Sequence, residues 1–282
     1  MKTSTRFTDL IGCRLPLQLA AMGGVGTTGL ATAVEASGGL GMVPSREQPA
    51  SGSCGVNFLV PFAPPPDVIG EAARTARVVE FFYGDPDRQL VEAAHSGGAI
   101  VGWQVGSAEE ASAAVDACCD YIEAQGIEAG GHVRGTQPLD EVVPAVLAAV
   151  RLPVVAAGGI ATPRRVIELL RLGADAVRVG TRFVTSPESG AHPDYIASLL
   201  AASGDDTVLT EWFGEGWPNA PHRVLRCVLD PARRSGWRET VPPYRGVERT
   251  TSDMAMYAGM GVGEVTSSQP AAEVVADLMR LL

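Results

Sequence analysis

This chain of 282 residues is short of histidine, cysteine and aromatic residues, and each shortage excludes something. Five cysteines, an odd number with neither CxxC nor zinc-type spacing, exclude a disulfide framework, so reduced thiols are the default and no metal site is legible. No apolar run approaches the roughly 18 residues needed to span a bilayer. The start, MKTSTRFTDLIG, lacks the basic-then-apolar order of a signal peptide, so the cytoplasm is the expected compartment. Basic charge is also in deficit. The net charge of −10 argues against nucleic acid or an anionic membrane as partner, but leaves an anionic small molecule open because the field at a site is local. With 46% hydrophobic and 19% charged residues, the chain falls in the range of ordinary globular enzymes, which excludes disorder and low complexity.

The first two-thirds repeats one unit: a short apolar run, a Gly/Pro/Asn break, then an amphipathic stretch. Eight strands are expected, at LPLQLA (from Leu15), GLGMV (from Gly39), GVNFLV (from Gly55), RVVEFF (from Arg77), AIVGWQV (from Ala99), CDYIEAQ (from Cys119), PVVAAG (from Pro153) and DAVRVG (from Asp175). Between the last two, Thr162 is a cap, Pro163 a first-turn residue, Val166, Ile167, Leu169 and Leu170 an apolar face, and Gly173 a stop. Asp85-Pro86 and Ser107 read as caps of two earlier helices. Near-continuously apolar strands alternating with helices imply a parallel sheet, and a closed (β/α)8 TIM barrel is the simplest solution. The expected division is a barrel over 1–186, an inserted lid or substrate segment over 187–251, and a return to the barrel over 252–282. Within the insertion, Trp212, Phe213, Trp217 and Tyr244 are candidate pocket walls; an oligomer contact is the competing reading.

In such a barrel the chemistry gathers at the C-terminal ends of the strands. There the run AQGIEAGGHVRG (124–135) holds His132 in a glycine frame, and AAGGIATP (156–163) follows with a second glycine pair. Glycines let backbone crowd a flat ligand and expose N–H donors, while imidazole is the side chain best suited to take a proton near neutrality. Taken alone, His132 serves a loop as readily as a reaction. His95, His192 and His222 have no comparable setting, and surface or loop roles are expected for them. The strand ends form a mostly uncharged, amide- and glycine-rich ring: Ala21-Met22, Val43-Pro44, Asn57, Tyr83, Gln104, Gln125 to His132, Gly158-Gly159 and Gly180-Thr181. The loops at Gly158 and Gly180 are where this fold builds phosphate sites. A ring over the mouth with a monophosphate tail is what FMN presents. Asn57 and Gln125, inside apolar strands, need a ligand or backbone partner. Trp103 and Tyr83 either line the pocket or cap the core.

The blocks LAAMGGVGTTGLATAVEASGGLGMV, GVNFLV, QGIEAGGHVRG, PVVAAGGI, GADAVRVGTRF and MYAGMGVG, in that order, resemble those of the nitronate monooxygenase family. The resemblance covers nearly the whole chain. It implies FMN at the mouth of a TIM barrel, with His132 as catalytic base or orienting group. Around FMN it implies Ala21, Met22, Asn57, Gln104, Gln125, Gly130, Gly131, Gly158, Gly159, Arg178, Val179, Gly180 and Thr181. O2 is the implied co-substrate beside a small molecule, and a homodimer is left open.

This sequence departs from the family pattern at several points. AAM stands for the common APM at residues 20–22, AGM for AGQ at 258–260, and Gln104 where many members have a lysine near the flavin. An extra Val133 follows the GGH block, and only a small helix fits between Val60 and Arg77. These changes imply a divergent member. Three functions compete: a nitronate or nitroalkane oxidiser, an NAD(P)H-dependent flavin reductase of an enoyl thioester or quinone, and a ligand-binding barrel without turnover.

Overall fold

The computed structural model describes residues 4–47, 52 and 54–282; residues 1–3 of the start lie outside them. Eight parallel strands appear where apolar runs predict them: β1 (Leu17–Leu19), β2 (Met42–Pro44), β3 (Gly55–Leu59), β4 (Val78–Phe82), β5 (Ile100–Val105) and β6 (Tyr121–Gln125) come first. After a two-residue strand, β7 (Gly131–His132), come β8 (Val154–Ala157) and β9 (Ala176–Val179). The sheet order is β1-β9-β8-β6-β5-β4-β3-β2. A parallel bridge between Gln18 and Leu40 brings its two ends together, so the sheet curls into a TIM barrel with helices on its outer face.

Local chemistry sets the helix ends. Thr162 Oγ1 accepts from Arg165 N–H, Pro163 opens the helix Pro163–Leu172, and Gly173 closes it at φ 117°, a left-handed conformation that costs glycine little. Ser107 caps Ala108–Asp116 as read, whereas the cap of Arg88–Ser96 is Asp87 and not Asp85. Asp85 instead takes Arg134 at 2.5 Å. The segment before Arg77 holds a 3-10 turn, Val60–Phe62, and one short α-helix, Pro66–Ala73.

The barrel is plugged at its N-terminal end. Helix Arg6–Ile11 turns Phe7 and Ile11 onto Leu40, Met42, Val78, Tyr121, Val155 and Ala176. Arg6 fixes this plug by a two-pronged bond to Asp175, whose Oδ2 also accepts from Val154 N–H. Gly102 leaves the space in which the Tyr121 ring lies, because a Cβ there would overlap it. The closing helix Ala271–Met279 buries Val274, Val275 and Leu278 against the outer layer.

A second small sheet, absent from the sequence reading, pairs β10 (Thr207–Thr210), β11 (His222–Leu225) and β7 in antiparallel order. It is laid over the mouth by its own apolar cluster, which joins Tyr195, Phe213, Val224 and Val228 to Ala255, Met256 and Val262. Among the described residues no helix is long and apolar enough to cross a membrane.

Candidate active site at the barrel mouth

His132 sits in β7, directly opposite His222 of β11. Its ring stacks on Trp217 at 3.9 Å between centroids, with Tyr83 at 5.8 Å, His222 at 5.1 Å and Tyr257 at 5.9 Å around it. Its Nε2 is buried without a hydrogen-bond partner. Burial, with a smaller contribution from His222, pushes the imidazole down to about 3, so at neutral pH the ring is uncharged. Tyr83 holds φ at 66°, rare for a bulky residue, and this turn at the end of β4 carries its ring to both His132 and Trp217.

His222 is not on the surface. It is fully buried, its Nδ1 lies 2.8 Å from Ala220 O and its Nε2 accepts from Phe213 N–H at 3.3 Å. One nitrogen thus gives and the other receives, which fixes a neutral tautomer and makes His222 a buried support behind His132. Of the four candidate wall residues from the insertion, only Trp217 makes ring contact with His132. Phe213 is fully buried against His222, Trp212 donates its indole N–H to Trp237 O with Arg233 and Arg238 near its faces, and Tyr244 is exposed. Trp103 belongs to the core, with no exposure and its indole N–H on Gly84 O.

The residues read as a cofactor ring divide into three groups. Gln125 is a brace: its Nε2 donates to His132 O at 3.0 Å and its Oε1 accepts from Arg134 N–H, so its partner is the loop that carries the histidine. Gly130 is needed for backbone packing, since a Cβ would lie 2.5 Å from Gly259 N, and Val179 buries its side chain in the core between barrel and helices. Around the mouth, Gly131 faces open space, Gly158 and Gly159 take positive φ, and Gly180 sits beside Ala20 and Met22. Ala21 packs toward the lower barrel, and Thr181 Oγ1 accepts from Gly259 N–H at 3.0 Å.

The third group places charge beneath the mostly uncharged ring of strand ends. Arg178 turns into the barrel, where Nη1 bonds to Glu80 and Glu123 and also to Gln104 Oε1 at 3.2 Å. Asn57 Nδ2 donates to Glu80 Oε1 at 2.8 Å, so its partner is neither ligand nor backbone. The guanidinium of Arg178 is held inside the barrel by these partners. Glu80 and Glu123 were missed, yet each was visible as the one charge within its strand, Val78–Phe82 and Tyr121–Gln125.

The donor set suits a flat heterocycle with a monophosphate. Gly158-Gly159 and Gly180-Thr181 bring backbone to adjacent strand ends, the groups of Asn57, Gln104 and Arg178 lie beneath, and Gly131 leaves room for a ring.

Comparison with known proteins agrees with this geometry. The family model described as nitronate monooxygenase matches residues 67–229. A nitronate monooxygenase from Pseudomonas aeruginosa is 32% identical over 98% of this chain and 99% of its own. The structure of FabK from Thermotoga maritima superposes with a TM-score of 0.84 at 29% identity, covering 98% of this chain and 95% of that one. Nitroalkane oxidase from Streptomyces ansochromogenes gives 0.77 at 26% identity, over 97% and 96%.

Proposed function

This chain belongs to the nitronate monooxygenase family of flavin-dependent oxidoreductases, and we propose that it oxidises a nitronate or nitroalkane with FMN as cofactor, O2 as co-substrate and His132 as base. The observation that carries this reading is the orphaned Nε2 of His132 in a box of aromatic rings. A buried polar atom without a partner costs about 1–3 kcal/mol, a cost that a substrate group hydrogen-bonded there would offset.

The residues divide the work. Backbone at Gly158-Gly159 and Gly180-Thr181 would hold the phosphate, and Asn57, Gln104 and Arg178 would lie under the ring. When bound, FMN supplies the electron acceptor for the substrate carbon and is reoxidised by O2. The neutral His132 would remove the proton from a carbon acidified by a nitro group. Gln125 aims it by holding the backbone carbonyl of the same residue. Trp217, Tyr83 and Tyr257 exclude water, which keeps the imidazole uncharged until an anion develops beside it. That anion would then stabilise the imidazolium. We place this activity in the cytoplasm.

The test uses two ionisation states of one substrate. His132→Asn should retain FMN but lose roughly 10²- to 10⁴-fold in rate on the neutral nitroalkane. On the preformed nitronate, whose proton is already gone, the loss should be much smaller. Equal losses would assign His132 to binding instead.

A further inference from the structure

Three barrel strands each turn one charged side chain inward: Glu80 from β4, Glu123 from β6 and Arg178 from β9, with exposures of 0%, 0% and 8%. Facing them are Tyr121, also of β6, and three uncharged groups, Gln18 of β1, Asn57 of β3 and Gln104 of β5. Two carboxylates on one guanidinium leave a net charge of −1 if both are ionised. A dry interior disfavours that state strongly.

The hydrogen bonds decide which carboxyl is neutral. Glu80 Oε1 accepts from Asn57 and Arg178, and Oε2 accepts from Gln18 at 2.6 Å and from Tyr121 at 3.0 Å. Four donors on two oxygens describe a carboxylate. Glu123 receives Arg178 on Oε2 only, and its Oε1 is buried with no partner. The electrostatics agree. Burial works to raise Glu80, but Arg178 and the hydrogen bonds outweigh it and hold the carboxyl below its usual range. For Glu123 burial prevails over Arg178, with Glu80 adding to it, and the carboxyl is raised well above that range.

The cluster also has a direction. Phe7, Ile11, Met42 and Tyr121 close the barrel below, so the exposed part of Arg178 is on the side of the mouth, beside Gln104. A neutral amide at position 104 supplies no charge there. Arg178, reaching across the barrel from β9, does.

We propose that Arg178 is the cation of the cofactor site and that Glu123, held as a neutral acid, keeps the cluster from cancelling it, so that the pair sets the reduction potential of the bound flavin. The proposal rests on the FMN reading. With Glu80 ionised and Glu123 protonated the floor is electroneutral and presents its positive end to the ring. If Glu123 gives its proton to solvent, the floor becomes −1 and disfavours an anionic reduced ring. No electron moves within the cluster. Arg178 and Glu123 act through the ring, as positioning residues.

The experiment has two arms. In flavin-free protein at neutral pH, infrared spectra should show the carbonyl stretch of a buried protonated carboxyl that is lost in Glu123→Gln. It should be lost also in Glu80→Gln, where Glu123 becomes the sole counter-ion of Arg178 and ionises. Absence of the band in the parent protein, or its survival in either variant, overturns the assignment. In FMN-loaded protein, the midpoint potential should fall more steeply at alkaline pH in the parent than in Glu123→Gln. It should shift downward at neutral pH when Arg178→Met is combined with Glu80→Gln, a pair that removes one charge of each sign so that the variant can fold. Equal pH slopes, or an unmoved potential in the folded double variant, overturn the proposal. Failure to bind FMN at all would instead overturn the function proposed above, which the infrared arm does not depend on.

Discussion

Replacing His132 by asparagine removes a ring that folds uncharged at a cost in acid, and the cost can be worked from its surroundings. In the folded protein, burial and the nearby His222 hold the imidazole down to about 3, whereas an unfolded chain leaves it near 6.5. The sign follows directly. Below about pH 6.5 the unfolded state binds a proton that the folded state refuses, so the parent loses stability as pH falls from there toward 3. Each unit in that window is worth about 1.4 kcal/mol. Between about pH 7.5 and 5.5, only about one of the two units lies below 6.5, so the parent should lose about 1.4 kcal/mol through this residue, and His132→Asn, which has no titrating ring, should not. Urea denaturation of flavin-free parent and variant at both pH values measures it. The destabilisation caused by the substitution should shrink by about that amount at the lower pH. A destabilisation that is the same at both would mean that the imidazole titrates as a solvated group, and its burial among the surrounding aromatic rings would be refuted.

Other consequences are independent of this one. Gly180→Glu should weaken FMN binding with little loss of Tm, because Gly180 has negative φ and its Cβ would meet Ala20 and Met22 at 3.3 and 3.7 Å; isothermal titration with FMN checks it. Gly159 is the poorer test, since its φ of 65° strains any side chain there. Gly102→Ala should cost about 1–3 kcal/mol in denaturant midpoint, as the new methyl overlaps the Tyr121 ring in a closed barrel. Trp217→Ala should raise the His132 imidazole from about 3 toward 6.5, read by NMR titration of its ring protons, since the stacked indole supplies part of its burial.

Much of this molecule was legible because the outward faces of barrel strands need apolar side chains. RVVEFF, CDYIEAQ and DAVRVG were recognised as strands from that demand. The same runs hid the interior, where Arg178 meets Glu80 and Glu123 across strands far apart in sequence. No local pattern reports such a pairing, although one charge in the interior of each strand was its trace. His132 was found through its glycines, yet the box around it comes from Tyr83, Trp217, His222 and Tyr257, which meet only when β11 pairs with β7. A two-residue strand leaves no periodicity to read. Asn57 and Gln125 were correctly read as amides in need of partners. The partners proved to be a carboxylate and a loop backbone, which only the fold could name.

The central claim is that this protein takes electrons from a nitronate or nitroalkane onto FMN held at the barrel mouth. The measurement that reaches it most directly is anaerobic rapid mixing of the FMN-loaded protein with propionate 3-nitronate, NADH and NADPH in separate shots, following the flavin absorbance. The account predicts bleaching by the nitronate and none by either nicotinamide. Bleaching by NADH or NADPH alone would contradict it and make the protein a reductase.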